Sequence, residues 1–298
     1  MMPGTFTAVD LSRLPPPTVI EQVDYEVLLA DALTQLKQRD PAFDALVESD
    51  PALKILQVCI YREVILRQQF NQRLRGLMLA YARGGDLDQL GALMGVTRLT
   101  LTPADPTRGI AATMESDHDF RYRIQLAPEG YSTAGPAAAY IYHALSSDAE
   151  VLDASATSPS PGAVVMTILS RSGDGTASPA LCQRVLTVLS ADTVRPLTDH
   201  VTVQPAQINA FEIDAVLFVF PGPDSSVVTA NARTQLQDRL RAAQRLGRDI
   251  ARSAIMAALH VEGVARVQLN APSSDLFNSL TQAAFCRSIT VNVVTSND

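Results

Sequence analysis

Hydrophobic spacing divides the chain into a helical first third and a remainder in which helices and strands alternate. Residues 25–38 repeat apolar positions at helical spacing and stop at Asp40-Pro41, which predicts a helix there. The stretch after Asp50 carries the clearest pattern. Asp50 suits an N-cap, Pro51 fits a first helical turn, and neither Gly nor Pro recurs before Gly76. Heptad spacing predicts an inward row of Leu53, Leu56, Ile60, Glu63, Arg67, Phe70, Leu74, Leu77 and Tyr81. Only Glu63 and Arg67 interrupt it, as an i,i+4 pair in the favourable orientation. A helix of about thirty residues would be roughly 45 Å long, several times the usual three turns. A hundred-residue N-terminal region does not easily cover it, so the row is expected to join an intermolecular bundle, an ordinary domain-spanning helix being the alternative. Gly84-Gly85 should end it, with Asp86 capping a short helix over residues 87–94.

The rest of the chain falls into recognisable pieces. Residues 1–24 predict an extended arm: Pro15-Pro16-Pro17 blocks helix, and Val9, Leu11, Leu14, Val19 and Ile20 supply apolar anchors. Such an arm can lie on its own domain or on a neighbour, and the sequence leaves both open. Residues 97–130 predict a proline-punctuated linker and a short helix. Residues 131–205 predict a first α+β domain, with a helix from Ser132–Pro136 to Ala144, strands at 150–155, 163–169 and 201–203, and a helix over 178–189. Residues 206–298 predict a second, for oligomerisation. It has a strand over 211–220, a helix capped by Pro221–Asp224 and running to Leu246, a helix over 249–259, and strands at 264–269 and 289–293. The fold class is therefore α+β: a helical N-terminal region with one long amphipathic helix, then an α/β-alternating C-terminal region. The helix–turn–strand unit at 134–156 has a loose echo at 250–271, which suggests a duplicated small unit.

Composition narrows the function classes. The 298 residues are 47% hydrophobic and 18% charged, which excludes a disordered chain. Three scattered cysteines suit neither a disulfide scaffold nor a zinc cluster. No signal peptide or spanning segment is apparent, so assembly in the cytoplasm without membrane insertion is expected. The net charge of −7 conceals blocks: −6 over residues 1–50, +5 over 51–84, −6 over 131–230 and +4 over 231–252. Arg outnumbers Lys 22 to 2, a bias that favours fixed contacts with carboxylates. With 5% aromatics, no Trp and an acidic total, nucleic acid is a poor partner. Arg233, Arg239, Arg241 and Arg245 are expected on the outer face of the 225–246 helix, as a C-terminal partner contact.

Catalytic signatures are missing. The sequence holds no Walker loop, dinucleotide fingerprint, paired metal-binding His motif, paired CxxC or nucleophile elbow. Asp117-His118-Asp119 could suggest acid–base or metal chemistry, but acids at a helix start followed by Arg121 one turn on are what capping produces anyway. No catalytic residue, metal or cofactor is expected, although a site assembled only in three dimensions would leave no local motif.

Several segments together resemble the baseplate J-like proteins of contractile phage tails and tailocins. They are Val9–Pro15 with Asp24-Tyr25-Glu26, Tyr61-Arg62-Glu63 with Arg67-Gln68, and Tyr81–Gly91. Asp119–Ile124, Glu129–Pro136, Ser158–Gly162 and Val194–Asp199 follow in order. The resemblance implies a structural subunit of the baseplate wedge, with two copies per wedge bundling their N-terminal helices with a smaller wedge protein. It further implies that the C-terminal regions close a ring around the hub, in contact with hub and sheath-initiating proteins, and that the particle's tail is the chain's location. A soluble enzyme, or another part of a contractile injection machine, is the competing reading.

Overall fold

The computed structural model describes residues 11, 14–15, 17–131, 135–220 and 225–295. The arm's Val9 and Pro16, the helix start at Ser132–Ala134 and the Pro221–Asp224 cap lie outside the described residues. By contact density the chain forms two units. One holds the N-terminal region to Arg98 together with Ser116–Arg121. The other holds Leu99–Glu115 and everything from Tyr122.

In the N-terminal unit, α1 (Tyr25–Arg39) starts at Asp24, whose carboxylate accepts from the N–H groups of Glu26 and Val27. A 3-10 turn (Pro41–Phe43) and a short loop lead to α2 (Pro51–Gly76), capped by Asp50 as its sequence predicts. The helix is 26 residues long, about 39 Å at 1.5 Å per residue. It stops earlier than the heptad pattern implies. Gly76 lies so close to Asp86 that a Cβ there would meet Oδ2 at 2.6 Å, and Leu77 and Tyr81 fall in the turn beyond the helix.

Next comes α3 (Gly84–Leu93), one turn longer at its start than expected. Asp86 sits inside its first turn, and Asp117 from α4 (Asp117–Leu126) accepts from Gly84 N at 3.3 Å instead. Arg98 joins Asp88 and Asp117 at 2.8 Å each and stacks on Phe120 at 4.7 Å. Arg121 donates to the carbonyls of Leu79 and Ala82 at 2.7 and 2.6 Å. The acid-rich run at 117–121 thus holds the segment after α2 in place, while His118 is 82% exposed.

The second unit begins with a small antiparallel pair, β1 (Thr100–Thr102) and β2 (Thr113–Met114), in the stretch expected to be a linker. Beside it Glu115 and Arg123 form a buried ion pair at 2.6 Å. Glu115 also accepts from Leu99 N, and Arg123 donates to Ser146 Oγ. A first three-stranded sheet has the order β3-β4-β5. Here α5 (Ala137–Ser147) leads to β3 (Val151–Thr157), which turns back into antiparallel β4 (Ala163–Ser170). α6 (Pro179–Leu189) then crosses over to β5 (His200–Pro205), parallel to β4. One face packs on α5 and α6 through Met166, Ile168, Leu181, Val185 and Leu189.

Ala206 alone separates β5 from β6 (Gln207–Val219), the central strand of a second sheet. Helices α7 (Ser225–Ala243) and α8 (Arg252–Leu259) follow, then β7 (Val264–Ala271) and β8 (Gln282–Thr295), in the order β7-β6-β8. β6 runs antiparallel to β7 and parallel to β8. Phe211, Ile213, Ala215, Leu217 and Val219 face the two helices. The opposite face, apolar from Val216 onward, is screened by Arg266 lying 4.0 Å above Phe218. The two sheets are joined through a cluster of Leu169, Ala206 and Ala283, with Ser155 Oγ donating to Leu280 O and Leu246 N donating to Asp153.

The suggested duplication holds only in part. Both sheets pair a central strand with one antiparallel and one parallel neighbour, and in both a helix precedes the antiparallel edge. The central strand comes second among the strands of the first sheet and first among those of the second, so the connectivity differs.

Removing one partner of a buried ion pair leaves the other charge uncompensated. Arg123→Ala is expected to lower stability by about 3–5 kcal/mol, read as a reduced urea midpoint at unchanged slope.

Candidate protein–protein interface

Face by face, α2 is two helices in one. Leu53, Ile60, Val64 and Asn71 form its buried row. Their spacing of seven, four and seven follows the 3.6-residue period of a straight helix. The strict heptad row drifts away from that face by about 20° per repeat, which is why the two patterns agree at Leu53 and Ile60 and part company at Phe70. Leu56, Glu63, Arg67 and Leu74 are half-buried along one border, whereas Phe70 is 60% and Leu77 72% exposed and Tyr81 is at the surface.

A second apolar stripe lies about 120° around the helix. Ile55, Cys59, Leu66 and Phe70 recur at intervals of four, seven and four, all on the surface, with Arg62 and Arg73 on the same side. Cys59 belongs to this outer stripe. Val58 and Tyr61 add further exposed apolar area. The partner helix α1 does not compensate: none of its side chains is fully buried, and Val27 is 65% exposed.

The Glu63–Arg67 pair, on the half-buried border of α2, meets the chain's own arm at Glu21. Arg67 donates from Nε and Nη2 to Glu63 Oε1 at 2.9 and 2.6 Å, and from Nη1 to Glu21 Oε2 at 3.1 Å. These bonds, Glu63's first, hold the guanidinium above its ordinary pKa. One turn on, Asn71 treats Glu21 as a β-strand neighbour would. Its Oδ1 accepts from Glu21 N at 3.1 Å and its Nδ2 donates to Glu21 O at 2.8 Å. The arm itself contains turns, Leu14 N to Leu11 O and Ile20 N to Pro17 O, because the proline φ that favours polyproline II also suits a turn. The grip of Asn71 and Arg67 on Glu21 was invisible in the sequence, since neither residue interrupts the pattern in a way that names its partner.

At the other end of the chain the four candidate arginines do not share a face. Arg233 and Arg241 lie on the flank of α7 toward β8, where Arg233 Nη2 reaches Val291 O at 3.4 Å. Arg239 lies on the flank toward α8. Arg245 is half-buried beyond the helix, which ends at Ala243 rather than at Leu246.

Among the described residues no three His, Cys, Asp or Glu side chains are placed to hold a metal ion. A groove of about 240 Å³ in the second sheet is lined mainly by apolar groups, with Arg241 and Cys286 its titratable ones. Burial pushes the Cys286 thiol up in pKa, away from the reactive thiolate. No helix among the described residues is long and apolar enough to cross a membrane.

Asn71→Ala should free Glu21 by removing the two hydrogen bonds to its backbone, at a cost of about 0.5–1.5 kcal/mol each. Limited proteolysis before Asp24 should accelerate while α2 stays helical by circular dichroism.

Comparison with known proteins gives a consistent assignment. Residues 48–105 match the Baseplate J-like N-terminal domain, 132–205 the Baseplate J-like central domain, and 211–292 the Baseplate J-like protein C-terminal domain. The chain is also similar to "Baseplate protein J" of Escherichia phage P2, with 47% identity over 287 residues that cover 93% of this chain and 95% of the relative.

Proposed function

The chain belongs to the baseplate J-like family, and from that premise we propose that it is a structural, non-catalytic subunit of the baseplate wedge of a contractile tail. The observation that carries the reading is the outer stripe of α2. Ile55, Cys59, Leu66 and Phe70 stand at helix-bundle spacing with no cover from α1. An exposed row of this kind in an otherwise well-packed chain marks a partner site. A second copy of this hairpin and a helix from a smaller wedge protein are its occupants. The inward row of Leu53, Ile60, Val64 and Asn71 holds the hairpin together, and Leu56, Glu63, Arg67 and Leu74 form the border between the two rows.

In this reading the α/β unit meets neighbouring wedges and closes a ring around the hub, in contact with sheath-initiating proteins. Assembly takes place in the host cytoplasm and the product resides in the tail. The mechanism is mechanical. A ring of wedges holds the tail in a metastable state, and contraction follows when wedge contacts exchange one packing for another of similar free energy. Arg–carboxylate contacts suit such exchange, because they are directional and break without exposing apolar surface. The charge blocks supply them, with the Arg-rich α2 and α7 set against acidic neighbouring segments.

Leu66→Glu with Phe70→Glu should abolish particle assembly in a complementation assay while leaving the purified chain's melting temperature unchanged, since both side chains are already exposed. Sedimentation of a producer-cell lysate should place the wild-type chain in megadalton particles with sheath and tube subunits. Normal particle yield from the double variant would sink the bundle assignment. Intact particles that sediment without this chain would sink the baseplate role itself.

A further inference from the structure

The second sheet ends at β8. Among the described residues β8 pairs with β6 alone. At its start Thr281 O accepts from Gln207 N, while Gln282 O faces the other way and accepts from Gly247 N. The register shifts where Phe211 and Glu212 oppose Cys286 and Ser288. Beyond that point Ile289, Val291 and Val293 carry their N–H and C=O groups outward, as the reach of Arg233 to Val291 O requires. Residues 288–295 contain no charge and no proline, two of the devices that normally protect a sheet edge.

Alongside the edge runs the groove between β8 and α7. Gln237, Arg241 and Gln244, one flank of the helix, form its wall, and Phe211, Leu240 and Ile289 are among the apolar groups at its floor. Its 240 Å³ has room for one or two side chains, less than the roughly 300 Å³ at which sites for small-molecule ligands begin. Arg233 lies on the same flank, one turn before Gln237. Arg241 approaches Asp238 at 3.6 Å, but the two are 78% and 67% exposed, and so open a pair leaves the cation available.

We infer that this edge and groove receive an extended segment of a partner protein. The segment adds as a fourth strand beside β8, with one apolar side chain in the groove between two acidic ones that meet Arg233 and Arg241. Main-chain bonds to Ile289, Val293 and the N–H of Val291, whose carbonyl already accepts from Arg233, supply affinity, and the groove and its arginines read the sequence. A second copy of this chain pairing edge to edge is disfavoured. A two-fold axis through the joined edges would set the Arg233 and Arg241 rows of both copies on one face, like against like, and leave both grooves empty. The inference stands on the sheet edge and is independent of the α2 bundle.

The test is fluorescence anisotropy of the full chain with a labelled heptapeptide, Thr-Glu-Thr-Leu-Thr-Glu-Thr. Saturable binding is expected with Kd between about 10 µM and 1 mM. Arg233→Glu with Arg241→Glu should weaken it about tenfold or more and favour the peptide with Lys in place of Glu. Val293→Pro should remove binding, because it deletes an outward N–H and spares the ladder to β6. Absence of saturable binding up to about 1 mM, or binding that neither variant alters, would overturn the inference. So would a concentration-dependent dimer that Val293→Pro abolishes, which would give the edge to a second copy.

Discussion

A 26-residue helix presents more apolar surface than a 15-residue neighbour can cover, and much of the molecule's character follows from that shortfall. The N-terminal region spends its few strong interactions on holding the long helix rather than burying it. Asn71 and Arg67 fasten the strap at Glu21, and the Asp117–Arg121 turn fastens the chain after α2 through Leu79, Ala82 and Gly84. Each anchor is polar and directional. They define the hairpin's geometry without consuming Ile55, Leu66 or Phe70, which stay at the surface.

The α/β unit solves the same problem in the opposite way. Each of its two sheets packs one side on helices to form a core, and the first meets the second through the cluster around Leu169 and Ala206. Polar groups trapped by this packing find partners, Glu115 with Arg123, Ser155 with Leu280 O, Tyr140 with Asp199 at 2.7 Å, whereas the buried Arg195 Nε has none. Burial and the neighbouring carboxylate raise the Tyr140 hydroxyl's pKa, so it remains a donor. A rigid, self-sufficient α/β unit and an under-covered helical one fit a part that must keep its own shape while depending on neighbours for its environment.

Much of this was legible in the sequence, and the reasons for the rest are physical. The cap at Asp50 and the helix over 178–189 came directly from local chemistry. The face of α2 did not. A heptad template and a 3.6-residue template share Leu53 and Ile60, so the pattern alone could not say which face the chain keeps for itself, and the outer stripe at Ile55, Cys59, Leu66 and Phe70 was hidden behind the inner one. Strand lengths were underestimated at β6 and β8 because their polar ends, Gln207–Ala210 and Gln282–Ser288, are held by pairing to each other rather than by hydrophobic alternation. The spread of Arg233, Arg239 and Arg241 around α7 could be read from 100° per residue once the buried face, Ala232 and Leu236, was known.

Magnitudes favour an assembly held by several such contacts over one held by any single contact. Burying Ile55, Leu66 and Phe70 fully would contribute about 1.5–3 kcal/mol each. Bringing two proteins together costs about 4–15 kcal/mol before any contact stabilises the complex. The α2 stripe alone therefore gives a weak pair at best. A second contact on the same chain turns the next association into an intramolecular step, with effective concentrations that can reach the millimolar range. The proposed bundle and the proposed strand-accepting edge of β8 would together stabilise the proposed ring, although each joint by itself would exchange readily. Such a lattice, strong in sum with individual contacts within a few kcal/mol of an alternative, would suit the metastable state proposed above.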